Sequence, residues 1–326
     1  MIQRSPLTQA ASTPEFRELK QPLGLKEKRV KAALLSSMGS VDEDEENHPS
    51  QGYKRLSHHP TKEELWDKMR SEAWADAAVE PALAPFLYST ILSHTTLEKS
   101  LAFLLGNKLC SPSVLGAVQL MGLMQEAFRS DPDIIDGAVA DVMAAKDRDP
   151  ACEKYTQCVL YFKGYQAIQC HRVSHWLWNQ GRKALALAFQ SRASEVFQVD
   201  IHPGAHLGKG ILIDHATGVV IGETTIIGDN VSMLHHVTLG GSGRARGEAR
   251  HPVVGHGVLL GAGVSVLGPI VLGSGSKVGA GSVVVTDLPP HCVAVGVPAK
   301  IIKRDLKKEP VVTMDQCYDF IPDYVI

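Results

Sequence analysis

Nowhere in this sequence do apolar residues run uninterrupted for the roughly 18 positions that a bilayer span requires. The N-terminus has no apolar stretch followed by a small-residue cleavage site, so secretion is not expected. No C-x-x-C pair occurs: Cys110, Cys152, Cys158, Cys170, Cys292 and Cys317 are scattered along the chain. That is a pattern of structural thiols in a reducing compartment, not of a disulfide framework. Strong charge of either sign is also missing. The formal net charge is -2 at pH 7, and no lysine and arginine stripe with interleaved aromatics appears, which removes the usual grounds for expecting nucleic acid or acidic lipid. Function has to come from a site.

What is present divides the 326 residues into distinct textures. Residues 1–60 read as a poorly ordered arm, basic from Met1 to Met38 and then acidic in "DEDEE" (Asp42 to Glu46), a like-charge block that stays solvated. Glu15, Glu18 and Glu27 make the arm richer in acid than import peptides are. A cytoplasmic location is therefore expected, with plastid or mitochondrion the alternative if the arm is a transit peptide. Residues 61–197 read as all-helical: Thr61 with Glu64 and Thr95 with Glu98 match capping boxes, and Pro112, Pro132, Pro150 and Gly181 break the later segments. Trp176 and Trp178 belong to the core or an interface of that region.

After Phe197 aliphatic residues followed by glycine recur at Leu207, Ile221, Ile227, Leu239, Val254, Leu260, Leu272 and Val278. Ile221, Ile227, Met233 and Leu239 step by six, and so do Val254, Leu260, Val266, Leu272, Val278 and Val284. Hexads are the mark of a parallel β-helix, whose stacked coils bury what no single coil could. The glycine and β-branched content argues against a helix here. Two gaps break the repeat. Ile213 to Ile221 spans eight residues and Leu239 to Val254 fifteen, so that "GGSGRARGEARHP" must leave the coil as a loop. Insertions in a repeat scaffold commonly build its site. Each of these carries a histidine beside a charged residue: Asp214 with His215, and Arg250 with His251.

The segments "VDIHPGAHLGKGILIDHATGVVIGE", "VTLGGSG", "RHP", "LGAGVSVLG" and "VGAGSVVV", with "DRDPACEKY" and "LYFKGYQAIQCHRVSHWLWNQG" before them, together resemble the serine acetyltransferases over roughly residues 61–303. The resemblance implies a left-handed β-helix over 198–303. It also implies trimers with active sites between neighbouring β-helices, paired into hexamers through the helical domain of 61–197. The implied reaction moves acetyl from acetyl-CoA to L-serine, with no metal.

Acyl transfer to an alcohol needs a base, and an imidazole near its ordinary pKa suits neutral pH, which makes His215 the candidate. The resemblance assigns the orienting carboxylate to Asp200, and a spacing of fifteen residues, close to one coil, makes contact between adjacent coils the expectation. Asp214, and by resemblance Asp149, would hold the substrate ammonium, while Arg250 would bind the carboxylate in two-pronged fashion. His251 would touch substrate or oxyanion, with Glu223 in support. Gly241, Ser242, Ala262 and Ala280 match positions where the family lays acetyl-CoA, with Lys277 near its phosphates. Taken alone, His215 reads as a solvated corner residue, Asp214 as a turn cap, Arg250 as part of a charged loop and Glu223 as a surface acid.

Two other readings stay open at this point. Gamma-type carbonic anhydrases use the same scaffold and bind zinc by three histidines; here His215, His251 and His256 would be the ligands. The third reading is a mainly regulatory partner of O-acetylserine sulfhydrylase. Residues 304–326 show no repeat and read as a flexible tail. In the family a C-terminal isoleucine enters the sulfhydrylase, so Tyr324, Val325 and Ile326 are the implied partner-binding residues. L-cysteine, a common inhibitor of the family, would occupy the serine contacts.

Overall fold

The computed structural model describes residues 60–111, 113–243, 249–306 and 310–314. The helices begin with α1 (Lys62–Val79), where Thr61 Oγ1 accepts from the Glu64 amide and Glu64 Oε2 accepts from the Thr61 amide, the reciprocal cap the spacing predicts. A short α2 (Ala84–Leu87) follows. The next cap falls one residue later than expected. Helix α3 (Leu97–Leu109) is capped by Thr96, whose Oγ1 accepts from the Lys99 amide, while Thr95 accepts from the Lys99 ammonium. Next come α4 (Ala117–Ser130), α5 (Asp133–Arg148), α6 (Tyr155–Tyr161), α7 (Lys163–Asn179) and α8 (Lys183–Phe197). Trp176 is buried and Trp178 partly so, the latter with its ring edge-on to His202. No described helix is long and apolar enough to cross a membrane.

Gln198, in the left-handed region at φ 59°, turns α8 directly into a parallel β-helix. One sheet stacks β1 (Val199–Ile201), β4 (Val219–Ile221), β7 (Thr238–Gly240), β10 (Ser265–Leu267) and β13 (Val283–Val284). The second stacks β2 (His206–Leu207), β5 (Ile226–Ile227), β8 (Val253–Val254) and β11 (Val271–Leu272). The third stacks β3 (Leu212–Ile213), β6 (Ser232–Met233), β9 (Leu259–Leu260), β12 (Lys277–Val278) and β14 (Val293–Val295), and is closed by β15 (Lys300–Lys303). Strand β15 runs antiparallel to β14, with a register slip. Every hexad residue from Ile221 to Leu239 and from Val254 to Val284 points inward and is at most 1 % exposed. Each such burial contributes about 1.5–3 kcal/mol before chain entropy is subtracted.

Both breaks in the hexad count are in the register. Val199 pairs with Val219, twenty residues on, whereas Ile221 pairs with Leu239, eighteen on. Ile226 pairs with Val253, so that coil carries nine residues beyond eighteen, among them 244–248, which lie outside the described residues.

The helical region is bolted to the first coil by a buried ion pair. Arg172 of α7 meets Asp141 of α5 at 2.7 Å and donates to the Gly208 carbonyl at 2.8 Å, while Asp141 accepts from the Ile211 amide at 2.8 Å. A desolvated pair holds only when its remaining hydrogen-bonding capacity is met, as it is here. Helix α9 (Pro310–Thr313), within the segment expected to be a flexible tail, packs beside α5 and seats Val311 against Leu234, which follows β6, and Leu259 of β9.

Candidate active site

Each coil turns from the third sheet into the first through one residue at positive φ: Gly218, His236, Gly263 and Gly281 in succession. The first of these corners holds two more, His215 at φ 54° and Ala216 at φ 60°. The two residues that lengthen the coil are thus wound into a left-handed bulge, closed by Ala216 N donating to Asp214 O (2.6 Å) and Thr217 N to His215 O (2.7 Å). Left-handed non-glycine residues are strained by roughly 1–2 kcal/mol each, and such strain persists where the surroundings enforce it. The bulge presents the His215 side chain, 74 % exposed, with Nε2 3.7 Å from Asp214 Oδ2 and the ring edge-on to His235 at 5.8 Å.

Asp149, the residue after α5, comes to this corner. Burial raises the Asp214 carboxyl above the ordinary aspartate range; the nearby His215 opposes this, and the Asp149 charge adds to it. Helix α7 reaches the same corner, with Lys163 Nζ donating to Thr217 Oγ1 at 2.5 Å.

Asp200 does not meet His215 within one chain. It lies mid-strand in β1 beside Val220 and accepts from Gln190 Nε2 at 2.6 Å. The spacing of fifteen is shorter than this twenty-residue coil, so Asp200 falls well past the corner where His215 stands. The expected contact across adjacent coils is absent among the described residues.

The opposite edge of the same sheet carries the rest. At the corner between β4 and β5, Glu223 Oε2 meets Arg250 Nη2 at 2.5 Å, and this bond holds the Glu223 carboxyl below its usual range. Thr224, which sequence reading does not single out, organises the corner. Its Oγ1 accepts from the amides of Arg250 (3.0 Å) and His251 (3.2 Å), and its hydroxyl lies 2.9 Å from His251 Nδ1. The Thr224 amide also reaches Nδ1, at 3.2 Å. An amide can only donate, so Nδ1 is the acceptor, and the neutral ring carries its proton on Nε2. Burial, then the Arg250 charge, lowers the His251 pKa and keeps the ring neutral. Gly222 makes room for it, because a Cβ there would lie 2.0 Å from His251 Cδ2. Replacing Thr224 with valine leaves two part-buried amides unpaired and is expected to lower Tm as well as to lower kcat/KM by roughly 10- to 100-fold, as read by thermal melts and steady-state kinetics.

The positions implied for acetyl-CoA divide the same way. Gly241 follows β7 beside the His251 ring and Ser242 lies against Gly268, whereas Ala262 and Ala280 stack on successive coils at the His215 edge, with Gly281 N donating to Ala262 O at 2.8 Å. Ala280 is exposed; Lys277 is only 7 % exposed. His256 Nδ1 accepts from the Asp229 amide (2.9 Å), away from His215 and His251, and no described group of His, Cys, Asp and Glu is arranged to hold a metal ion. Cys158 and Cys170 are buried, which pushes both thiols up, the latter beyond any physiological range. Tyr324, Val325, Ile326 and Cys317 lie outside the described residues, as do residues 1–59 of the N-terminal arm.

The family profile described as "Serine acetyltransferase, N-terminal" matches residues 65–170. Serine acetyltransferase 5 of Arabidopsis thaliana is 52 % identical over 253 residues, covering 78 % of this chain and 80 % of its own length. A soybean serine acetyltransferase solved in complex with serine is 58 % identical with a TM-score of 0.72, over 74 % of this chain and 98 % of that one. A serine acetyltransferase solved in complex with CoA is 48 % identical with a TM-score of 0.70, over 73 % of this chain and 98 % of that one. The architecture is the one the resemblance implied, a helical region followed by a left-handed parallel β-helix. Identity at this level, sustained across most of both chains, means that the protein belongs to the serine acetyltransferase family.

Proposed function

We propose that the chain transfers the acetyl group of acetyl-CoA to the hydroxyl of L-serine, the first step of cysteine biosynthesis, with His215 as general base. His215 takes the serine Oγ proton as that oxygen attacks the thioester carbonyl. The tetrahedral oxyanion collapses, the C–S bond breaks, and the His215 imidazolium returns the proton to the departing CoA sulfur. Asp149 and Asp214 hold the serine ammonium, Arg250 its carboxylate, and the Nε2–H of His251 donates to substrate or oxyanion. L-cysteine, with sulfur in place of the serine oxygen, fits the same contacts as an inhibitor.

The observation that carries the reading is the division of the candidate residues between two edges of one sheet. His215, Asp214 and Asp149 stand at one edge and Glu223, Arg250 and His251 at the other. A serine molecule cannot span both within a chain. Packing of neighbouring β-helices around a threefold axis joins one edge to the other, and Asp200, on the strand between them, then reaches its histidine across the interface. The O-acetylserine sulfhydrylase partner belongs to the same reading, through Tyr324, Val325 and Ile326.

Thiol release from acetyl-CoA, measured with and without serine, tests the activity; its absence from folded protein sinks the reading. Co-expression tests the shared site. His215→Ala and Arg250→Ala are each expected to be inactive, whereas their mixed oligomers regain roughly a quarter of the activity by random assortment. No recovery from mixed oligomers would place the whole site in one chain.

The raised Asp214 pKa gives a further expectation. Asp214 takes up its proton at a higher pH than an ordinary aspartate, and once neutral it no longer attracts an ammonium. The KM for serine therefore rises on acidification sooner than an unperturbed carboxylate would require, and Asp214→Asn flattens that limb. A limb unchanged in Asp214→Asn would assign the titration elsewhere.

A further inference from the structure

Asp149 is the one candidate substrate contact supplied by the helical region, and it sits at the end of α5, where side-chain placement depends on how that end is held. The preceding residue does the holding. Arg148 Nη1 donates to the Gly210 carbonyl (3.0 Å) and to Ser232 Oγ (3.1 Å), and its Nη2 donates to Asn230 Oδ1 (3.0 Å). These acceptors belong to two successive coils. Gly210 turns the first coil into β3 and Asn230 turns the second into β6, whose first residue is Ser232. Strands β3 and β6 pair through Leu212 with Ser232 and Ile213 with Met233, and the next amide, Asp214 N, donates to Met233 O at 2.9 Å. One guanidinium thus grips both strands that present Asp214, while its own backbone carries Asp149.

Two carboxylates facing a common gap repel each other until a cation arrives, so an α5 end free to move would retreat from Asp214. The turn after Asp149 is braced separately, by Asp149 Oδ1 accepting from the Ala151 amide (2.8 Å) and Lys146 donating to the Cys152 carbonyl (3.0 Å). Those bonds shape the turn, and the Arg148 fork ties it to the coils beneath Asp214, about two helical turns beyond the point where Asp141 joins α5 to the Ile211 amide. Planar, multi-pronged recognition of fixed acceptors is what guanidinium supplies and ammonium does not.

We propose that Arg148 is a positioning residue for the acceptor amino acid, fixing the gap between Asp149 and Asp214 that receives its ammonium; this rests on the reading that those two carboxylates bind it. The test is a kinetic cycle on the full chain with serine and acetyl-CoA varied in turn. Arg148→Gln is expected to raise the KM for serine about tenfold and to leave that for acetyl-CoA unchanged. Arg148→Lys does not rescue. Asp149→Asn raises the serine KM at least as much, and the double variant matches Asp149→Asn alone, because Arg148 acts through Asp149. Ser232→Ala removes one acceptor and gives a smaller rise, about two- to threefold, and takes the place of Arg148→Gln in the cycle should that variant not fold. Effects that multiply in the double variant, or a normal serine KM in Arg148→Gln beside a raised one in Asp149→Asn, overturn the proposal. A normal serine KM in Asp149→Asn sinks the ammonium reading itself, and Arg148's role with it.

Discussion

Replacing His215 with asparagine is expected to lower kcat by about 10²- to 10⁴-fold, the range over which a positioned general base contributes. Asparagine is the informative substitution because His215 sits at φ 54°, and asparagine tolerates that conformation better than alanine does. The bulge should therefore survive. The side chain is largely exposed and makes few contacts, so Tm should barely move, and a thermal melt beside the rate measurement separates lost chemistry from lost structure. Activity within tenfold of wild type would remove His215 from the mechanism.

A second large effect is expected at a residue with no chemistry of its own. Gly164 lies in the first turn of α7, where a Cβ would come 2.0 Å from the carbonyl oxygen of Ile213 and 3.2 Å from the Ala216 Cβ. The near atom is backbone and cannot swing aside. Gly164→Ala must push α7 off the corner or push the corner outward, and that corner runs directly into Asp214 and His215. Overpacking of this kind is destabilising by about 1–3 kcal/mol or more. Displacement of a catalytic group by about 1 Å can lower the rate roughly 100-fold. The expected result is a lower Tm together with a fall in kcat/KM out of proportion to it; a wild-type Tm and rate would show that the helix can slide at no cost.

Hexad spacing makes the core of the β-helix legible because each inward position stacks on the coils beside it and is filled by an apolar side chain, aliphatic at every hexad but Met233. The same counting exposes the two insertions, and with them the histidines. It misleads at Asp200, since a coil lengthened by two residues shifts a corner relative to the strand beneath it. Thr224 is illegible for another reason: threonine in a turn is commonplace, and its three roles at once exist only after Arg250 and His251 return from a loop 26 residues on. His235 likewise gains meaning only by standing edge-on to His215 from the next coil. The helix boundary at Thr96 shows the limit of local rules. Adjacent threonines both offer a cap, and the backbone chooses the one in the extended conformation.

The antiparallel strand β15 has a consequence for how the molecule behaves in bulk. A stack of parallel coils has an open end that any further coil of the same hand could join, including one from another molecule. By reversing direction over Lys300–Lys303 and slipping register against β14, the chain covers the edge of its third sheet with a strand of the wrong polarity, bearing a lysine at each end. The solenoid thus ends with its own stop signal on that side, an edge whose polarity and flanking lysines disfavour the addition of a further coil from another molecule.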